Sequence, residues 1–279
     1  METKALFPSA KWSSATFASH RIAVEQVILT MQERLDNPLS LQEMAAMSHL
    51  SPCHFTHVFH RITGIAPREF LAALRLETAK RLLLTTKRSI TQVCFDVGYN
   101  SLGTFTKRFT QFVGLAPSYW RRLSEDGMLS SLYLPRVLRL EQERRLHSNA
   151  SVTGRILLPP NFHGLIFLGL FPTPFPQSRP VGCTLLTSAE NYWIGPIPEG
   201  RYYLFGAACA WSEDPLAYWL SSNWLRGDTN QSPVLVQKGQ SNYQRDVRLR
   251  PPTLIDPPFL ISLPLMLAEN LASDILIPV

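Results

Sequence analysis

The chain has 279 residues, of which 45% are hydrophobic, and it carries a net charge of +6. It contains no apolar run long enough to span a bilayer, no signal-peptide pattern and, among four cysteines, no CxxC pair. These features exclude a membrane-spanning protein and a disulfide framework, and we expect a reduced, soluble protein of the cytoplasm.

The first elements along the chain are predicted to be a tail and two helices. Residues 1–18 show no periodicity, which indicates a flexible N-terminal tail. Apolar residues then recur at helical spacing over residues 24–35 and predict a first helix, which Asn37-Pro38 ends. Ser40 and Glu43 form a capping box, which predicts the start of a short second helix.

One segment of the helical region occurs twice. Residues 51–67 align without a gap on residues 101–117. The identical pairs are Ser51/Ser101, Phe55/Phe105, Thr56/Thr106, Phe59/Phe109, Gly64/Gly114, Ala66/Ala116 and Pro67/Pro117. In each copy the phenylalanines predict a buried helix stripe, the glycine predicts the helix end and the proline predicts the next helix start. Because the outward residues differ, the pattern is typical of two copies of one recognition unit that meet different stretches of a target.

Three further features complete the pair of units. Ser89 and Gln92 repeat the capping box before the second copy, so each copy is predicted to be a helix-turn-helix. Residues 67–84 predict one uninterrupted helix, about 27 Å long, that holds the two units apart. Residues 51–122 carry 11 Lys/Arg and only 3 Asp/Glu. Such an excess is typical of a surface that displaces counterions from DNA.

Residues 20–123 resemble the paired helix-turn-helix DNA-binding domain of the AraC/XylS family of transcription regulators. The motifs that carry the resemblance are Leu76–Leu84, Ile90–Tyr99, Phe105–Phe109 and Gly114–Arg121. The resemblance implies two recognition helices that enter successive major grooves on one face of the duplex. The predicted DNA-binding domain spans residues 19–125.

The resemblance also implies which side chains meet DNA. The residues at the family's base-facing positions are Pro52, Cys53, Thr56 and His57 in the first helix, and Leu102, Gly103, Thr106 and Lys107 in the second. The residues toward phosphates are Ser51, His60, Arg61, Ser101 and Thr110. Pro52, Leu102 and Gly103 offer no side-chain donor. We therefore expect direct readout to depend on His57, Lys107, methyl contacts to thymine and DNA shape.

The second half of the chain predicts a different kind of domain. Of 22 prolines, 16 lie beyond residue 150, where short β-rich runs are separated by Pro and Gly. This pattern predicts an all-β antiparallel sandwich over residues 151–252, so the predicted fold class is multidomain α and β. The segments that resemble a carboxypeptidase-regulatory-like, transthyretin-like domain are residues 152–158, 192–204 and 234–239.

Two connecting segments flank the predicted sandwich. Residues 126–150 predict a linker helix, which either lies on DNA, pairs with itself or serves as a solvated connector. Residues 253–279 predict an extended and then helical apolar tail that docks on its own chain or on a partner's chain.

Tryptophans gather around a predicted short helix that starts at Asp214-Pro215. Its rings either form a lid over a ligand pocket or a dimer contact, or they close one end of the sandwich. The candidate effector pocket, for a carbohydrate or an aromatic metabolite, consists of Trp193, Trp211, Trp219 and Trp224.

The sequence offers little other chemistry. Cys53 and His57 have the i, i+4 spacing of metal ligands, but no second ligand pair completes a site. No nucleophile, acid–base pair or phosphate loop is visible. We therefore predict no metal site, no cofactor and no enzyme.

The sequence favours a sequence-specific transcription regulator, an activator rather than a repressor, in the nucleoid-associated part of the cytoplasm. Its predicted partners are double-stranded DNA, RNA polymerase, a small-molecule effector and a second copy of the chain. The sandwich would serve as effector site or dimerisation module. The alternative is an architectural or interaction protein that binds DNA with low specificity and docks a partner through the sandwich.

Overall fold

The computed structural model describes residues 12–125, 150–176, 180–188, 191–227, 232–237 and 242–261. The helices in these ranges are α1 Ser14–Glu33, α2 Leu41–Met47, α3 Pro52–Thr63, α4 Pro67–Thr85, α5 Ile90–Asp96, α6 Leu102–Val113 and α7 Pro117–Glu125. The strands are β1 Ser151–Leu157, β2 Gly164–Phe171, β3 Gly182–Leu186, β4 Asn191–Ile194, β5 Gly200–Ala210, β6 Leu225–Gly227, β7 Val234–Val236, β8 Asn242–Gln244 and β9 Val247–Arg250. Residues 126–149 of the predicted linker helix and 262–279 of the predicted tail lie outside the described residues.

The predicted helix starts and stops are confirmed. In each capping box the serine hydroxyl accepts from the amide three residues on, and the Glu43 or Gln92 side chain accepts from the serine amide at 2.7 Å. Gly64 and Gly114 end the two recognition helices in the left-handed conformation, with φ of 83° and 93°. Both units are therefore helix-turn-helix, with α4 between them.

The predicted flexible tail over residues 1–18 is too long. Helix α1 begins at Ser14, and the Ser13 hydroxyl caps it by accepting from the amide of Thr16 at 3.1 Å. Residues 14–19 are all exposed. Because a solvated first turn has no buried stripe, its sequence carries no apolar periodicity.

Aromatic side chains build the core of the helical region. Phe55 and Phe59 on α3 are fully buried with their ring centroids 5.5 Å apart, and the Phe59 ring also lies 5.5 Å from the ring of Phe70 on α4. The equivalent Phe105 and Phe109 on α6 lie 5.6 Å apart. Burying such rings contributes about 1.5–3 kcal/mol each.

The β region is barrel-like, and the predicted antiparallel sandwich is corrected in this respect. One connected sheet runs in the order β3-β2-β5-β6-β9-β1-β4, with β7 paired to β5 and β8 paired to β1. Two of the pairings, β1 with β8 and β1 with β9, are parallel.

The connected sheet follows from long strands that change partners along their length. Residues 200–202 of β5 pair with β7, whereas residues 203–210 pair with β2. Buried side chains such as Val152, Leu168 and Val247 then meet in one enclosed core. Alternation along short strands is common to sandwiches and barrels, so it does not say which strands pair.

The helical and β regions pack against each other. Trp219, Phe175 and Leu260 from the second half belong to the same buried cluster as the helical core. The neighbouring Phe259 and Ile261 lie in a second cluster against β2 and β5. Residues 259–261 therefore form an extended strap with alternate side chains on the helices and on the sheet. None of the described helices is both long and apolar enough to cross a membrane.

Candidate nucleic-acid interface

The two recognition helices present equivalent outward faces. Each buries its phenylalanine stripe, and the predicted base-facing residues lie on the other side. Six of them are exposed, and Thr56 and Thr106 are half-buried. The structure thus brings the predicted set out to the surface as two matching groups, four on α3 and four on α6.

Few of these side chains can read bases by hydrogen bonding. The Thr56 hydroxyl donates to the Pro52 carbonyl of its own helix at 2.8 Å. Leu102 is exposed and apolar, and Gly103 has no side chain. The side chains with hydrogen-bond donors on the outward face are the exposed Cys53, His57 and Lys107 and the half-buried Thr106.

The predicted phosphate residues have three different settings. Ser51 and Ser101 cap the recognition helices, each accepting from an amide three residues on at 3.4 Å. His60 and Thr110 are exposed on the last turn of their helices. Arg61 is half-buried, because its guanidinium lies 4.0 Å from the ring centroid of Trp12.

An aromatic cluster around Trp12 supports the first unit. The Trp12 ring lies edge-on to His20 at 4.7 Å, and His20 lies edge-on to His54 at the start of α3 at 5.6 Å. Burial lowers the pKa of His20, and the nearby His54 lowers it further. Trp12 lies in the segment predicted to be a flexible tail, and an isolated tryptophan in an aperiodic segment was the available signal for this cluster.

The two units are held in register by a contact that the sequence did not reveal. Arg75 of α4 donates to the carbonyls of Leu35 and Asn37, both at 2.9 Å. Gly98 closes the turn of the second unit with φ +80°, and a Cβ there would overlap the Leu35 carbonyl oxygen. The α1–α2 loop therefore packs directly against the turn before α6, which fixes the positions of the two recognition helices.

Comparison with known proteins identifies the helical region. A helix-turn-helix domain family matches residues 44–123. The chain is 30% identical over 111 residues to the HTH-type transcriptional activator AarP of Providencia stuartii, covering 40% of this chain and 82% of that protein. This chain belongs to the AraC-type family of DNA-binding transcription regulators.

Further relatives also match only part of this chain. The chain is 32% identical over 94 residues to the uncharacterized regulator YobQ of Bacillus subtilis, covering 34% of this chain and 39% of that protein. A crystal structure of an AraC-type regulator from Chromobacterium violaceum matches with 23% identity and a TM-score of 0.36, over 38% of this chain and 96% of that one. The chain thus spans about two fifths of YobQ, and the matched family does not include the β region.

Four tryptophans do not form the predicted effector pocket. Trp219 is 4% exposed and packs edge-on against Trp120 of the AraC-type domain, with ring centroids 5.6 Å apart. Trp224 packs on Phe259 in another cluster, and Trp211 is 49% exposed. Trp193 is half-buried on β4. The prediction failed because spacing in the sequence did not reveal that Trp219 faces the helices.

The segment around Trp219 is also shorter than predicted. It is a single 3-10 helix over Pro215–Tyr218, capped by the Asp214 carboxylate, which accepts from the amide of Leu216 at 2.9 Å. Trp219 at its end lies in the buried cluster of the helical core. The rings of this segment join the β region to the AraC-type domain.

A buried lysine lies at this junction. The Lys80 side chain on α4 is 1% exposed, and its Nζ donates to the Leu260 carbonyl at 3.0 Å. The ammonium lies 5.1 Å from the Trp120 ring centroid, and Trp120 Nε1 donates to the Lys80 carbonyl at 3.1 Å. Burial lowers the pKa of Lys80 to about 8, while the carboxylate of Glu77 opposes that change.

Metal chemistry finds no support in the described part of the chain. No group of three or more His, Cys, Asp or Glu side chains that could hold a metal ion occurs there. Cys53 is a free, exposed thiol.

Proposed function

We propose that this protein is a sequence-specific transcription regulator that reads two short DNA boxes, one with α3 and one with α6. The observation that supports this most directly is the pair of matching outward faces, held in register by Arg75 and Gly98. Two boxes one helical turn apart, about 10 base pairs, would present successive major grooves to them. An activator is favoured over a repressor, because AarP is named as an activator.

The β region would act on DNA binding through the strap and Trp219. Its residues meet α4, α6 and α7 of the AraC-type domain through Lys80, Phe112 and Trp120. A small-molecule effector, a second copy of the chain or RNA polymerase that displaced the β region would therefore change the support of the second unit. This arrangement favours regulation within one chain over a purely architectural role.

The test is the ratio of affinities for selected and random DNA. We expect a ratio of about 10³ or more for the wild-type protein. Replacing His57 and Lys107 together by alanine should bring the ratio close to one, because each base contact contributes about 1–3 kcal/mol of discrimination.

A matched control removes the same side-chain types elsewhere. Lys87 and His163 are exposed and lie outside the recognition helices. The Lys87→Ala/His163→Ala variant should retain the ratio. Unchanged affinity and site preference in the His57/Lys107 variant would overturn the proposal, and a wild-type ratio near one would favour the architectural alternative.

A further inference from the structure

A cleft of about 590 Å³ lies between the two recognition units. Its lining comes from the first unit, from α4 and from the second unit, and includes Glu43, Arg68, Arg75, Tyr99, Thr104 and Arg108. None of these residues was among the predicted DNA contacts. The cleft is therefore a separate surface that both units build together.

The cleft is positively charged where it meets solvent. Arg68 and Arg108 are exposed, and neither makes an ion pair with any described residue. Glu43 is the acidic residue of the lining, and its Oε2 accepts from the amide and the hydroxyl of Ser40, both at 2.7 Å. The hydrogen bonds from Ser40 lower the pKa of Glu43. Two arginine side chains thus remain available to an anion.

The floor of the cleft carries an unsatisfied polar group. Tyr99 is 9% exposed, and its hydroxyl oxygen is buried with no hydrogen-bond partner in the described part of the protein. Arg75 beside it is held by the Leu35 and Asn37 carbonyls. A buried hydroxyl without a partner is unfavourable, and it leaves the floor of the cleft polar beneath the two exposed arginines.

The cleft continues the proposed DNA surface. Thr104 and Arg108 each follow a base-facing residue of α6, Gly103 and Lys107, and therefore line the edge of that helix that faces the first unit. On a duplex read by two successive major grooves, the minor groove and its two flanking backbones lie between the recognition helices.

We propose that this cleft is a phosphodiester site, in which Arg68 and Arg108 bind the DNA backbone that crosses between the two boxes. The inference rests on the proposed function and adds a contact that depends on the distance between the boxes. Because Arg68 lies in the first turn of α4 and Arg108 lies on α6, both can bind only when that distance matches the rigid register set by Arg75 and Gly98.

The experiment compares DNA affinity over a range of salt concentrations for the full chain. Each phosphate contact contributes about 0.9 to the slope of log affinity against log salt. In the Arg68→Ala/Arg108→Ala variant this slope should be smaller by the contribution of about two phosphate contacts. The affinity should fall by the same factor for every DNA sequence.

Uncharged methylphosphonate linkages between the boxes test the position of the contact. They should weaken wild-type binding by at least tenfold and leave the double variant nearly unaffected, because each phosphate contact helps determine affinity. The control is Arg81→Ala, which removes the same charge from an exposed position of α4 outside the cleft. This variant should respond to the neutral linkages as the wild-type protein does.

Three results distinguish the alternatives. A protein that selects its boxes but ignores the neutral linkages overturns the cleft proposal alone. Binding of free inorganic phosphate that is lost in the double variant, with an unchanged salt slope on DNA, also overturns it and assigns the cleft to a small anion. Failure to select any boxes counts against the proposed function itself.

Discussion

The two recognition units share one framework but rest on different supports. The first is supported near the start of α3 by Trp12 and His20 from α1 and the segment before it. The second is supported by the β region, through Phe175 on Phe112 and Trp219 on Trp120. The repeat thus specifies the local fold of each unit, whereas residues outside the repeat specify what holds it. A conformational change in the β region would therefore alter the support of the second unit before that of the first.

The strongest test of this difference is Trp219→Ala. Removing a buried tryptophan should lower the free energy of unfolding by about 3–5 kcal/mol, because the cavity would open beside Trp120. Chemical denaturation measures the change. Trp211→Ala is the matched control, since this ring is 49% exposed and its removal should change stability by no more than about 0.5 kcal/mol. Equal losses in the two variants would contradict the account of the second unit's support.

A second test concerns the contact that the two units share. Gly98→Ala places a methyl group against the Leu35 carbonyl and the Arg75 guanidinium, so it should destabilise the protein by about 2–5 kcal/mol. Gly114→Ala is the control, because Gly114 is also left-handed but has nothing within 4 Å of a Cβ. Gly114→Ala should lower the free energy of unfolding only by the strain of an alanine in the left-handed conformation, about 1–2 kcal/mol. Thermal unfolding of both variants makes the comparison, and a similar loss in both would show that the close approach is unimportant.

A third test uses the buried Lys80, which joins the second unit to the strap. Its folded pKa of about 8 lies below the ordinary 10.5 because of burial. Between these values the unfolded chain binds more protons than the folded chain, so the lysine makes the free energy of unfolding rise with pH, by up to about 3 kcal/mol. Below pH 8 this penalty of the buried charge is fully present.

Lys80→Met should remove that rise and be at least as stable as the wild-type protein at pH 7, since apolar replacements of buried charges are often neutral or stabilising. Lys87→Met, at an exposed position, should keep the pH dependence. Denaturation at several pH values from 7 to 10 measures the difference. A difference in the free energy of unfolding between wild type and Lys80→Met that stayed constant across this pH range would contradict a lowered pKa of the buried Lys80.

The sequence predicted the helical region well because its signals are local. Capping boxes, left-handed glycines and apolar stripes each act within a few residues. Ser40 and Ser89 therefore predicted helix starts, and Gly64 and Gly114 predicted helix ends, that the structure contains. The exposed start of α1 was missed for the same reason, since it has no stripe to detect.

The parts that sequence analysis missed depend on contacts between distant residues. Trp219 meets Trp120, and Lys80 meets Leu260, across gaps that no local pattern spans. The barrel-like sheet likewise depends on which half of β5 pairs with which strand. Arg75 lies in a predicted helix, but its acceptors lie in a loop 38 and 40 residues earlier in the chain.

Selection of bound duplexes from a random pool by the whole 279-residue chain tests whether both recognition helices read DNA. We expect enrichment of a motif with two short boxes about 10 to 10.5 base pairs apart. Enrichment of a single box, or salt-sensitive binding to all duplexes without enrichment, would contradict a reader with two recognition helices.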